Sequence, residues 1–479
     1  MGPPSTGRVG KDGRRNQSQN QNQNQNQKNK KDGSKKKKPQ QHRMREGAKP
    51  NQKKESSSDE LSRSIPIPLQ QLMLNIFRCA LLFSNPEEDQ EESQEGHGKK
   101  PEQEPLVITP LIQTLKTHLY NRDFLSAFAD ADEDLLRAYA LRWSAGRALG
   151  YVGVLDGVWR NWVSSGGGVK RKRRHAVCIG GGAGAEIVAL AGVWRMLRDE
   201  VALDIDSAID EDISKLSVRD NPSDSGEQGE AKSLPTSEAE HISITAVDIA
   251  DWSPVVNRLS KAIKSPSVPS TKSCRAPLLP SYGDQEKHED TFNVSFKHLD
   301  VLSLSDKELQ PLLCPKTNNL PQNQGATDLV TLMFTLNELF STSIPKTTSF
   351  LLRMTDLLEP GTILLVVDSP GSYSTVALGK KGEEGDKTSS SQSTSNTNED
   401  GNSGASTAPS QQQKPRTYPM RLLLDHTLLS VASGCWECVL SDESRWFRRE
   451  AAKLSYDVGE GIGLEDMRFQ VHVYRRLKG

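Results

Sequence analysis

Short runs rich in apolar and β-branched residues recur along the second half of this chain. They predict strands at Ala176–Ile179, Ile242–Val247, Thr291–Lys297, Leu329–Phe334, Thr362–Val367, Trp436–Leu440 and Phe469–Tyr474. Between most of them, apolar positions three and four apart predict helices over 185–198, 254–263, 347–358 and 420–432. That alternation is the rhythm of an α/β fold. Upstream, 66–84 and 105–165 read as helical, with the acidic linker 85–104 between them. In the second block Phe124, Leu125, Phe128, Leu135, Leu136, Tyr139 and Trp143 form an apolar stripe, and Asp130, Asp132 and Asp134 suit a helix start. Polar inserts at 204–240, 264–290 and 379–416 interrupt the rhythm and are expected to be surface excursions without chemistry.

Residues 1–65 carry an alternating Gln-Asn tract and the cluster Lys35-Lys36-Lys37-Lys38, a composition that predicts disorder. Residues 1–54 hold 16 Lys or Arg against Asp12, Asp32 and Glu46, although the whole chain carries a net charge of -1. A basic tail on an acidic body suggests a polyanionic partner or a nuclear address. A second basic run, Lys170 to Arg174, leads directly into the first strand and could gather an RNA backbone near a site, or be solvated loop charge. No cleavable signal opens the chain, and the apolar run from Leu72 to Phe83 is too short to span a bilayer, so a soluble protein of a reducing compartment is expected. Cys435 and Cys438 are a close pair without two further ligands at zinc spacing, so they read as packed thiols and no metal is expected.

The chemistry starts at Cys178-Ile179-Gly180-Gly181-Gly182-Ala183-Gly184-Ala185-Glu186, an apolar run, a glycine cluster and a helical pattern. Strand, tight turn and helix in that order bring the backbone and the free N–H groups of a helix start close to a ligand, as a nucleotide-type cofactor requires. Ligands of an open α/β sheet gather at the carboxyl ends of its strands. Asp248 ends the second strand and can accept from both ribose hydroxyls; Asp300 follows the third and can accept from an exocyclic amine. Asn337 and Glu338 follow the fourth, and Asp368 leads a loop that ends in Tyr373. Asp248, Asp300, Asn337 and Glu338 each have a plainer reading as a helix cap, first-turn or turn residue. Arg142 and Arg147 either contact a phosphate chain or form a solvated face.

Together these residues resemble a class I S-adenosylmethionine-dependent methyltransferase. Three segments are similar to the fungal 25S rRNA uridine-N3 methyltransferases: 178–186, Leu141-Arg142-Trp143-Ser144 with Arg147-Ala148-Leu149, and 329–339. The resemblance covers roughly 105–475 outside the inserts. It implies a seven-stranded Rossmann-like sheet over 170–479, a helical region over 66–165 in front of it, and a nucleolar enzyme acting on one uridine of large-subunit rRNA or a preribosome. Gly180, Gly182, Gly184, Glu186, Asp248 and Asp300 would bind the cofactor, while Arg142, Arg147 and Tyr373 would hold substrate, Tyr373 stacking on the base. Cys178 stands where class I enzymes usually carry an acidic residue, leaving Glu186 as the nearby carboxylate.

Uracil N3 is a poor nucleophile while protonated. Asn337 is expected to donate to a uracil carbonyl, and Glu338 or Asp368 to accept the proton. Two rivals remain. Gly180-x-Gly182-x-x-Ala185 also fits a dinucleotide fingerprint, hence an NAD(P)-dependent oxidoreductase, and the same fold could serve as a catalytically silent RNA-binding assembly factor.

Overall fold

In the computed structural model the described residues are 65–83, 104–121, 123–164, 173–216, 241–280, 291–315, 326–371, 375–378 and 416–478. The basic tail, nearly all of the acidic linker, Lys170–Lys172 and Tyr373 lie outside them. Strands β1 (Arg173–Ile179), β2 (His241–Asp248), β3 (Phe292–His298), β4 (Leu329–Met333) and β5 (Ile363–Asp368) run parallel, whereas β8 (Trp436–Phe447) and β9 (Met467–Arg476) are antiparallel. The seven strands form one sheet in the order β3-β2-β1-β4-β5-β9-β8, and β6 (Thr375–Leu378) pairs with β7 (Arg416–Pro419) as a separate hairpin.

Both faces of the sheet are covered, which explains why its strands read as nearly continuous apolar runs. Ala176 and Cys178 of β1 point into one apolar cluster, Val177 and Ile179 into the other. The first cluster contains the apolar faces of α1 (Ile67–Leu81), α4 (Ala145–Val158), α5 (Ala185–Leu216) and α6 (Ser253–Lys264). The second contains those of α7 (Asp306–Leu313), α8 (Leu336–Thr342), α9 (Ile344–Leu357) and α10 (Met420–Asp425). The amino-terminal helices therefore share their core with the sheet.

Local signals set the element boundaries. Asp132 accepts from the Leu135 N–H at 2.8 Å and starts α3 (Glu133–Tyr139). Ser305 and Glu308 form a capping box at the start of α7, a helix the apolar pattern had not predicted. α5 continues to Leu216, into the insert expected at 204–240. The insert expected at 264–290 is partly packed, with Cys274, Leu278 and Leu279 buried. β8 reaches Phe447, well past the expected Leu440, and Cys438 within it is exposed and not packed. Among the described residues no helix is long and apolar enough to cross a membrane.

The amino ends of the strands are tied by a polar network. The buried His175 lies 2.9 Å from Thr327 Oγ1 and 3.0 Å from Thr245 Oγ1, one on each ring nitrogen. Its backbone N–H donates to Asp328 at 2.9 Å, and the other Asp328 oxygen takes a bond from Arg174 at 3.1 Å. Burial pushes the His175 ring down to about 4. Arg173 and Arg174 thus enter the sheet at its amino edge. At 3.3 Å per residue that is roughly 20 Å from the glycine turn, so these two arginines of the basic run do not stand beside the site.

Candidate active site

Between β1 and β4 the strand order reverses, and at their carboxyl ends lies a cavity of about 470 Å³. The glycine turn forms its floor. Gly180 and Gly184 adopt φ of +74° and +84°. A Cβ on Gly180 would meet Thr335 Oγ1 at 2.1 Å, and one on Gly182 would meet Trp252 Cδ1 at 2.2 Å. These two glycines are bare so that Thr335 and Trp252 can close on the turn; the ligand contacts what that packing exposes. Gly180 lines the cavity, while Gly182 and Gly184 stand behind it.

Asp248 fixes the turn from β2. Its Oδ2 accepts from Gly182 N–H at 3.1 Å and its Oδ1 from Ala250 N–H at 3.3 Å. Burial raises its carboxyl to about 6, against the pull of those N–H groups. It still lines the cavity, where the Ile249 N–H and the Trp252 indole also act on its carboxylate. The neighbouring cap role belongs to Asp251, which accepts from Ser253 N–H at 3.1 Å. Asp300 also lines the cavity, but its carboxylate holds its own turn, accepting from Leu302 N–H at 3.0 Å and from the Ser303 hydroxyl at 2.5 Å.

Of the three residues expected to carry the reaction, only Glu338 faces the cavity. Asp368 is buried behind it, accepting from Asn337 N–H at 3.0 Å and Ser369 N–H at 2.8 Å. It anchors the start of α8. Asn337 follows that anchor and is not part of the cavity wall. Burial, reinforced by the charge of Asp368, pushes Glu338 up to about 8, while Arg147 pulls it down.

The helical region supplies the opposite wall. Ser144, Arg147 and Tyr151 stand three and four residues apart and face inward. Arg142, five residues before Arg147, turns away, stacks on Trp143 at 5.4 Å and pairs with Glu465. Its expected role at the site is therefore not met. Arg147 donates to the Tyr139 hydroxyl at 2.8 Å and lies over the Phe334 ring at 4.7 Å. Phe334, at the end of β4, has φ of +60°, the left-handed region that a bulky residue enters at about 1–3 kcal/mol. Phe128 meets Tyr139 edge to face and both rings tilt against Trp252, with centroids 5.1 to 6.2 Å apart, closing the side away from β4. Tyr139, Ser144, Tyr151, Trp252 and Phe334 were not singled out as site residues; the polar stripe Ser144, Arg147, Tyr151 on a small-residue helix was a signal available for three of the cavity groups.

Two buried polar atoms of the cavity wall have no hydrogen-bond partner, Glu186 Oε1 and Ser144 Oγ. Burial pushes the Glu186 carboxyl up to about 8. Cys178, by contrast, is fully buried, its thiol pushed up by burial and by Glu186, and it does not line the cavity. Glu186 is thus the carboxylate available in place of the missing acidic residue. Asp123, Glu186, Asp248, Asp300 and Glu338 line the cavity against one basic side chain, Arg147. Such a lining favours a cationic ligand and repels a pyrophosphate, and the Gly182 N–H that a dinucleotide would use is already given to Asp248. An aminoacyl sulfonium cofactor fits the set: orphaned polar atoms for its amino-acid end, Asp248 for its ribose, apolar Ile249 and Leu299 beside it.

The chain matches a family model of SAM-dependent methyltransferases over residues 85–475. It is 29% identical over 391 residues to the 25S rRNA (uridine(2843)-N(3))-methyltransferase of Saccharomyces cerevisiae, a match covering 80% of this chain and 81% of that one. Among solved structures, an O-methyltransferase family protein from Burkholderia thailandensis shares 11% identity, covering 85% of this chain and 83% of that chain at a TM-score of 0.33. A SAM-dependent methyltransferase from Methanosarcina mazei shares 9%, covering 64% and 95%, at 0.27.

Proposed function

Because the chain belongs to the family of SAM-dependent methyltransferases, we propose that it methylates N3 of a uridine in large-subunit ribosomal RNA, as the name of its yeast relative describes for that protein. The observation that carries the reading is the acidic cavity at the sheet's reversal point, with a buried Glu338 on its β4 side. S-adenosylmethionine supplies, when bound, a methyl group already activated on cationic sulfur. Glu186 and Ser144 hold its amino-acid end and Asp248 its ribose. Phe128, Tyr139 and Trp252 keep water out.

Glu338 accepts the N3 proton of the uracil. At neutral pH it is largely protonated in the free protein, and a cation bound nearby shifts it to the carboxylate that the role needs. Asp368 acts through α8, holding Glu338 in place without touching substrate. Tyr373, outside the described residues, remains the proposed stacking partner for an extruded base. The basic tail would serve as the address to the nucleolus, where rRNA or a preribosome is met.

The test is transfer of labelled methyl to large-subunit rRNA from cells lacking the protein, followed by mapping of the modified position. A single N3-methyluridine is expected. Cofactor binding without any transfer would instead support a silent assembly factor on this fold, and a rise in melting temperature with NAD(P) alone would return the oxidoreductase.

A further inference from the structure

With Asn337 outside the cavity wall, the carbonyl donor that the reaction needs must come from elsewhere. Uracil N3 becomes nucleophilic only as its proton leaves, and the electron pair left behind spreads onto the flanking carbonyl oxygens. A fixed donor at such an oxygen stabilises that charge most where water is excluded. Arg147 is the one basic side chain lining the cavity. Among the described residues its single hydrogen bond is the one to Tyr139, which leaves most of its five N–H donors for a ligand. Its guanidinium carbon lies 4.7 Å from the centre of the Phe334 ring, which the left-handed backbone at the end of β4 presents. Arg147 also acts electrostatically on Glu338, the proton acceptor across the cavity.

Building on the uridine-N3 reading, we propose that Arg147 is a catalytic residue that donates to a uracil carbonyl oxygen flanking N3 and stabilises the N3 anion, with Tyr139 as its positioning residue. The balance is as follows. Glu338 carboxylate takes the N3 proton and becomes the acid. The N3 lone pair, its charge shared with the carbonyl bound to Arg147, forms the new N–CH₃ bond. The methyl–sulfur bond breaks with its electron pair kept on sulfur, giving a neutral thioether. The proton on Glu338 then leaves to solvent.

Fluorine at C5 withdraws electrons and makes N3 more acidic, so a 5-fluorouridine substrate needs less help from a donor. The experiment compares wild type, Arg147→Gln and Tyr139→Phe on an rRNA transcript made with uridine or with 5-fluorouridine, and measures S-adenosylmethionine affinity by calorimetry. Arg147→Gln is expected to lower kcat on uridine by about 10²–10³-fold, the size lost with one such donor, and to recover at least tenfold of that (roughly 1.4 kcal/mol) on 5-fluorouridine. Cofactor affinity is expected within about threefold of wild type, well below the tenfold that 1.4 kcal/mol represents. Without cofactor, the fluorine resonance of an oligonucleotide with one 5-fluorouridine should titrate at lower pH on wild type than on Arg147→Gln.

Weakened cofactor binding with no recovery on 5-fluorouridine makes Arg147 a cofactor ligand and overturns the proposal. Unchanged kcat does the same. If Arg147→Gln does not fold, Tyr139→Phe decides: a smaller loss with the same recovery supports the proposal, and a wild-type ratio between the two transcripts sinks it. A wild type that leaves uridine N3 unmethylated removes the functional reading itself, a separate result from any of these.

Discussion

The two ends of the same strands are built on opposite rules. At the amino end His175 is a buried polar group with both ring nitrogens matched, and Asp328 is bonded on each oxygen. At the carboxyl end Glu186 Oε1 and Ser144 Oγ are buried and unmatched, several carboxyl groups are held near neutrality, and Phe334 sits in a left-handed backbone. At the first end the His175 ring and the Asp328 carboxylate are satisfied by the chain alone, although Arg174 Nε and Thr291 Oγ1 nearby are buried without a partner among the described residues. The other is completed by what binds, and its strain is tolerated because the surrounding core fixes it.

The sharpest way to test that contrast is Glu338→Gln. It keeps the shape of the wall and removes the proton acceptor, so kcat should fall by about 10²–10⁴-fold while the melting temperature at neutral pH does not fall, since Gln needs no proton to stay buried; full turnover would remove Glu338 from the chemistry. His175→Ala should do the reverse. Emptying the buried ring's place, and taking one partner each from Thr245 and Thr327, which keep Ser295 and the Leu313 carbonyl, is expected to cost about 2–3 kcal/mol in denaturant unfolding, with cofactor affinity untouched. A loss of affinity there would mean that the two ends are coupled.

A smaller effect is expected at Glu186. Glu186→Gln should weaken S-adenosylmethionine binding roughly tenfold, the loss of one charged contact. It should also flatten the pH dependence of stability. Glu186 and Glu338 ordinarily titrate at 4.5 and are raised to about 8 in the fold. The native state therefore holds protons that the unfolded chain has released, and stability is lost as pH rises through that window. Unfolding of the cofactor-free protein from pH 5 to 8 should show this decline, with a shallower one in Glu186→Gln. An unchanged slope would mean that Glu186 does not titrate there.

The sequence made the parallel strands legible because both faces of the sheet are buried, so each strand reads as an apolar run. The edge was harder. β8 continues through Ser441–Arg445, where exposed positions carry no apolar alternation to betray a strand. At the site, the glycine cluster, Asp248 and Glu338 could be read from their place after strands. Arg142 and Arg147 could not be told apart by charge, although five residues of helix separate their directions by well over a quarter turn. Asp368 was misassigned for a physical reason: the same carboxylate that could meet a substrate also suits the N–H groups at the start of α8. The aromatic closure by Phe128, Tyr139 and Trp252 joins distant segments, and no local pattern announces it.

The small hairpin pairs Thr375 with Pro419 and Leu378 with Arg416. The chain thus departs at Leu378 and returns at Arg416 through adjacent doors. Closing a loop across such neighbouring ends costs entropy that grows only slowly with its length, so a reporter domain spliced there should leave melting temperature and cofactor affinity unchanged.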